Sequence, residues 1–187
     1  DTGSSGNVLI SSASSSVSSG SVHLVTGNSI ESSGDVLLQS GSSKADVAGS
    51  VKISTGTSQN GPGADILLSA GSSSSSTGGS ILIASGSSDT TSSGSISLES
   101  DSTSSSSGGI DLRSGNAVQQ SGSVRLETGT SSIASGDIVV AAGDAISNSG
   151  SVFIAGGSST DGQGGTISLQ SGASSGGISG GLNIETS

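Results

Sequence analysis

The chain has 187 residues, a formal net charge of −10, 28% hydrophobic and 10% charged residues, 33 Gly, one Pro, one Phe and no Cys, Met, Trp or Tyr. So little bulky apolar side chain excludes a conventional core of packed helices, and without Cys there is no disulfide framework. Four scattered cations, Lys44, Lys52, Arg113 and Arg125, cannot neutralise a phosphate track, and no apolar run is long enough to cross a bilayer, so neither nucleic acid nor membrane insertion is expected.

Composition alone would make disorder the default, but one pattern recurs from end to end. It reads Gly, Ser/Asp, Val/Ile, any residue, Leu/Ile/Val, any residue, Ser/Thr/Ala, Gly. In chain order the copies begin at Gly6, Gly20, Gly34, Gly49, Ala64, Gly79, Gly94, Gly108, Gly122, Gly136, Gly150, Gly165 and Gly180, thirteen copies spaced by 14 or 15 residues. The first half carries the apolar pairs Val8/Ile10, Val22/Leu24, Val36/Leu38, Val51/Ile53, Ile66/Leu68 and Ile81/Ile83. The series continues through Ile96/Leu98, Ile110/Leu112, Val124/Leu126, Ile138/Val140, Val152/Ile154, Ile167/Leu169 and Leu182/Ile184. A spacing of two with a β-branched first member predicts a short strand burying one face.

A second Gly follows most of these segments, as at Gly27, Gly41, Gly56, Gly71 and Gly86; Ala13, Asp101 and Ser187 are the exceptions. Paired glycines predict a corner at each strand end, with φ > 0 within reach of Gly and tolerated by Asp101. The remaining Ser-rich residues form a return side, which adds Val17, Ile30, Val47, Val118, Ile133, Ile146 or Ile178 in several copies.

The expected fold is therefore all-β: a single-stack parallel β-solenoid (β-helix) of about thirteen coils, continuous over residues 1–187. Coils stacked at about 4.8 Å would make a rod roughly 60 Å long. Its core ladder would include Val22, Leu24, Val36, Leu38, Val51, Ile53, Ile66, Leu68, Ile81, Ile83, Ile96, Leu98, Val124 and Leu126. The pattern is in register by Gly6 and still running at Ile184, so the expectation is a segment of a longer array or a polymer unit that associates end to end.

Parity places the residue between each apolar pair on the outer face. That column contains Leu9, Leu37, Leu67, Leu82, Val139 and Phe153, a candidate stripe for lateral contact with another rod. A neighbouring column holds Glu99, Arg113 and Glu127 on three consecutive copies, an expected charge ladder with Asp111 and Arg125 beside it. Local compensation of charge explains that ladder better than a docking patch does.

Catalysis requires clustered acids, bases or nucleophiles, and the single His23 falls on the outer face without a partner, so no enzyme and no cofactor is expected. Asp35, Asp65 and Asp137 follow the copy glycine, but most copies have Ser or Gly there, which is too sparse for the Asp of every calcium-binding repeat. No Asn is followed two residues later by Ser or Thr, so N-glycosylation has no acceptor, whereas the Ser/Thr-rich return side could carry O-linked glycans.

The runs SGSVHLVTG (Ser19–Gly27) and SGDVLLQSG (Ser33–Gly41) resemble the very long Ser/Gly-rich tandem-repeat proteins of heterokont algae and oomycetes, and the resemblance covers nearly the whole chain. It implies a secreted or cell-surface location and a fibrous or appendage role, and supplies no active residues. The functional expectation is an extracellular structural protein that forms or stiffens a filament or surface fibre. Two alternatives are an ice-binding solenoid and the rigid stalk of an adhesin. For ice binding, the column Thr26, Thr55, Thr128 and Thr186 lies on the inward parity and is interrupted by Ser, Ala and Gly.

Overall fold

The computed structural model describes residues 3–186, in two units, Asp1–Ile96 and Ser97–Ser187. Ser187, the last exception to the second-glycine rule, lies outside the described residues. Among the described residues there is no helix and no β-strand. The expected β-solenoid, or β-helix, is therefore corrected: the chain is coil, built from short extended segments that alternate with bent return segments.

The hydrogen bonds explain the difference. Stacked coils would bond residues one copy apart, 14 or 15 positions along the chain. The four backbone–backbone bonds among the described residues instead each span eight positions: Gly79 N–H to Gly71 C=O, Gly94 to Gly86, Gly165 to Gly157 and Gly180 to Gly172, at 2.8–2.9 Å. Four return segments thus close on themselves, at the small loop-closure cost of a short ring, and no backbone bond among the described residues joins the extended segments of successive copies. The two apolar side chains of each copy stay exposed and are not packed on those of the neighbouring copies. The exposed area is 18935 Å², against about 7,800 Å² for a compact protein of this mass and about 25,000 Å² for an unfolded one. No residue among those described is buried.

Period-two alternation nevertheless survives locally. In the first unit Ile66, Leu67 and Leu68 are 52%, 87% and 69% exposed. In the second unit Val152, Phe153 and Ile154 repeat the pattern at 50%, 88% and 67%. The backbone is extended enough to send the pair to one side and the middle residue to the other.

Copy length sets the shape of the return segment. In the first unit the copies that begin at Gly6 and Gly20 are 14 residues long, and the chain bends over two residues, 16–17 and 30–31. Those that begin at Gly34, Gly49, Ala64 and Gly79 are 15 long and bend over three, 44–46, 59–61, 74–76 and 89–91. In the second unit the two-residue bends fall at 104–105, 118–119, 132–133 and 146–147, and the three-residue bends at 160–162 and 175–177. All four eight-residue clasps belong to 15-residue copies.

Glycine works here by closeness. No described residue, glycine included, has a positive φ, so the expected left-handed corners are corrected as well. The first glycine of a copy lies instead against the residue that precedes the second glycine of the copy before it. A Cβ on Gly49 would stand 3.4 Å from Ser40 Cβ, and one on Gly150 would stand 3.4 Å from Ala142 Cβ. The column that faces these glycines is Ser, Thr, Ala or Gly throughout, because only small side chains fit the approach.

Candidate functional site

The bends are organised by a hydroxyl two residues beyond the second glycine position. Ser or Thr stands there in ten of the twelve return segments, in the register Gly-x-Ser/Thr. In 14-residue copies its oxygen accepts the amide two residues on: Val17 to Ser15 at 3.2 Å and Glu31 to Ser29 at 3.3 Å. Ser105 to Thr103 at 3.3 Å and Ile133 to Ser131 at 3.2 Å follow the same rule, and Ala134 also donates to Ser131, at 3.3 Å. In 15-residue copies the nearest donor is the third residue, with Ser75 and Thr90 as longer second donors at 3.4 Å: Asp46 to Ser43 at 3.1 Å, Gly61 to Ser58 at 3.1 Å and Ser76 to Ser73 at 3.0 Å. Thr91 to Ser88 at 3.0 Å, Gly162 to Ser159 at 2.9 Å and Gly177 to Ser174 at 2.9 Å complete the set. Such local side-chain bonds are the ordinary chemistry of Ser and Thr in turns. Ala117 and Ala145 hold the place in the other two segments and supply no acceptor.

Every member of the expected core ladder, from Val22 and Leu24 to Val124 and Leu126, is exposed, so the inner column lines no core. The first member of each pair from Val22 onward is the better covered, 48% exposed at Val51. The stripe of Leu9, Leu37, Leu67, Leu82, Val139 and Phe153 points into solvent, 81–89% exposed. Most of the return-side apolar residues, read from the sequence as part of the coil, are more exposed still. Ile30, Val118 and Ile146 sit at the bends with their side chains wholly in water. The signal of these three in the sequence is an apolar residue directly after the Gly-x-Ser/Ala register position.

Among the charged residues, Arg113 pairs with Asp111 at 2.8 Å and Arg125 with Glu127 at 2.6 Å, each within its own extended segment. Residues two apart on an extended chain share a side, which brings these partners together. Glu99, Arg113 and Glu127 form no hydrogen bond or ion pair with one another among the described residues. His23 is exposed. A shallow open recess of about 600 Å³ in the first unit is lined by Leu37, Gln39, Ser40, Gly41, Ser42 and Ala48, with no titratable group among them. The described residues contain no cluster of three His, Asp or Glu side chains that could hold a metal ion, and no helix long and apolar enough to cross a membrane.

Comparison with protein-family models, with curated proteins and with solved structures gave no match to this chain.

Proposed function

We propose that this chain is a non-enzymatic, extracellular or cell-surface structural protein whose copies associate side by side in a filament or surface fibre. One observation carries the reading: apolar pairs repeat in every copy, and none of these side chains is buried within the chain. Burying one Val, Leu or Ile is worth about 1.5–3 kcal/mol. A surface that repeats such residues every 14 or 15 positions therefore gains most by lying against another surface of the same period. A second copy supplies that period without any further partner. The Ser/Thr-rich return segments, with their hydroxyl-held bends, offer acceptors for O-linked glycans. The resemblance to Ser/Gly-rich tandem-repeat proteins favours the same location and role.

Sedimentation over a wide concentration range, paired with electron microscopy of the same samples, tests the proposal. Concentration-dependent growth into elongated assemblies is the expected result. A monodisperse monomer at every concentration, with no fibres on the grid, overturns it.

A further inference from the structure

We propose that Asn60 is a site of spontaneous covalent modification, in which the backbone nitrogen of Gly61 closes on the Asn60 carboxamide, and that Ser58 restrains the step. Asn60 and Gly61 lie in the three-residue bend 59–61, and both are exposed. Of the asparagines in the chain, Asn7, Asn28, Asn60, Asn116, Asn148 and Asn183, only Asn60 is followed by glycine. A following side chain crowds the approach of the amide nitrogen to the carboxamide carbon, and Gly61 has none. The Asn60 carboxamide makes no hydrogen bond among the described residues. Asn148 and Asn183, in contrast, donate to Ser147 at 3.4 Å and Glu185 at 2.7 Å.

The step balances without any co-reactant but water. The Gly61 nitrogen gives up its proton and bonds to Cγ of Asn60, the Cγ–Nδ2 bond breaks, and ammonia leaves with that proton. The five-membered imide then takes up one water at either carbonyl. Opening at one side gives Asp at position 60; opening at the other routes the backbone through the side-chain carboxyl as isoaspartate. Either product adds one negative charge to a chain already at −10. The Asp product reproduces the copy that carries Asp161 and Gly162 at the same register, where Ser159 likewise accepts the Gly162 amide at 2.9 Å.

Ser58 governs the rate. The nucleophile forms only when the Gly61 N–H loses its proton, and that N–H is donated to Ser58 Oγ at 3.1 Å. A bond that must open before the proton can leave slows the closure by its own equilibrium constant.

Incubation of the full chain in warm, mildly alkaline buffer, followed by peptide mass spectrometry that separates Asp from isoaspartate, tests both parts. Asn60 is expected to convert fastest of the asparagines, to a mixture of both products, and Ser58→Ala to raise its rate about fivefold, the weight of one neutral hydrogen bond. Conversion at Asn60 no faster than at Asn28 and Asn116 overturns the site. An unchanged or lower rate in Ser58→Ala overturns the restraint. Amide exchange in the unmodified chain checks the restraint without a variant: Gly61 should exchange more slowly than Gly63, and equal rates count against it.

Discussion

Gly79 donates its amide to the carbonyl of Gly71 at 2.9 Å, and the two glycines close the return segment Ser72–Gly78 into a small ring. The same bond joins Gly94 to Gly86, Gly165 to Gly157 and Gly180 to Gly172, always over eight positions. Where the first glycine follows seven positions on, as Gly34 follows Gly27 or Gly136 follows Gly129, no such bond forms. The extra residue is needed but does not suffice: Gly49 and Ala64 also follow Gly41 and Gly56 by eight positions and form no such bond, the Thr55 hydroxyl donating to the Ala64 carbonyl at 3.2 Å instead.

Amide exchange should read this difference directly. Gly79, Gly94, Gly165 and Gly180 are expected to exchange about fivefold more slowly than Gly34, Gly108, Gly122 and Gly136, the factor that follows from one net backbone hydrogen bond. Nuclear magnetic resonance on labelled chain makes the measurement. Equal protection in the two groups would show that the clasp bond does not form in solution.

The sequence made the period, the apolar pair and its alternation legible, because these are local: Ile66, Leu67 and Leu68 alternate whether or not a neighbour pairs with them. It did not reveal whether successive segments would pair, because that depends on contacts a copy length away, which the local pattern does not encode. The bend chemistry lay in plain view as Gly-x-Ser/Thr, yet was hidden by the number of other serines around it; only the hydrogen bonds single out Ser58 or Ser131 from their neighbours. The charged residues misled in a similar way. Arg113 stands one copy from Glu99 and Glu127, but Asp111 is two residues away in the same segment, and proximity along the chain won.

Glycine substitutions should divide by position. A Cβ on Gly165 would stand 2.9 Å from the Gly157 nitrogen, and one on Gly156 would stand 2.5 Å from the Gly165 oxygen. Gly129 has open space around it. Gly165→Ala is therefore expected to open the clasp and shift the resonances of residues 157–165, whereas Gly129→Ala leaves its copy unchanged. A silent Gly165→Ala spectrum would remove the close-approach argument.

The two alanine bends allow a gain-of-contact test. Ala117 occupies the place where Ser131, one copy later, accepts the Ile133 amide at 3.2 Å. Ala117→Ser is expected to slow exchange of the Gln119 amide several-fold, and Ser131→Ala to speed that of Ile133 by a similar factor. If neither amide responds, the hydroxyls decorate the bends without shaping them.

Salt and polarity should separate the forces that drive association. At a net charge of −10, copies repel one another, and added salt screens that repulsion. Association through the apolar stripe should therefore strengthen as salt rises, whereas docking through ion pairs such as Arg125–Glu127 would weaken. Leu67 and Leu82, on adjacent copies of the first unit, are 87% and 89% exposed. The double variant Leu67→Ser/Leu82→Ser removes two of the larger outward side chains without disturbing any clasp or bend bond. It is expected to shift the monomer–assembly midpoint, measured by sedimentation, to at least tenfold higher concentration, since each side chain is worth about 1.5 kcal/mol or more when covered. An unchanged midpoint would take the outward stripe out of the contact and leave the apolar pairs, such as Ile66 and Leu68, to carry it.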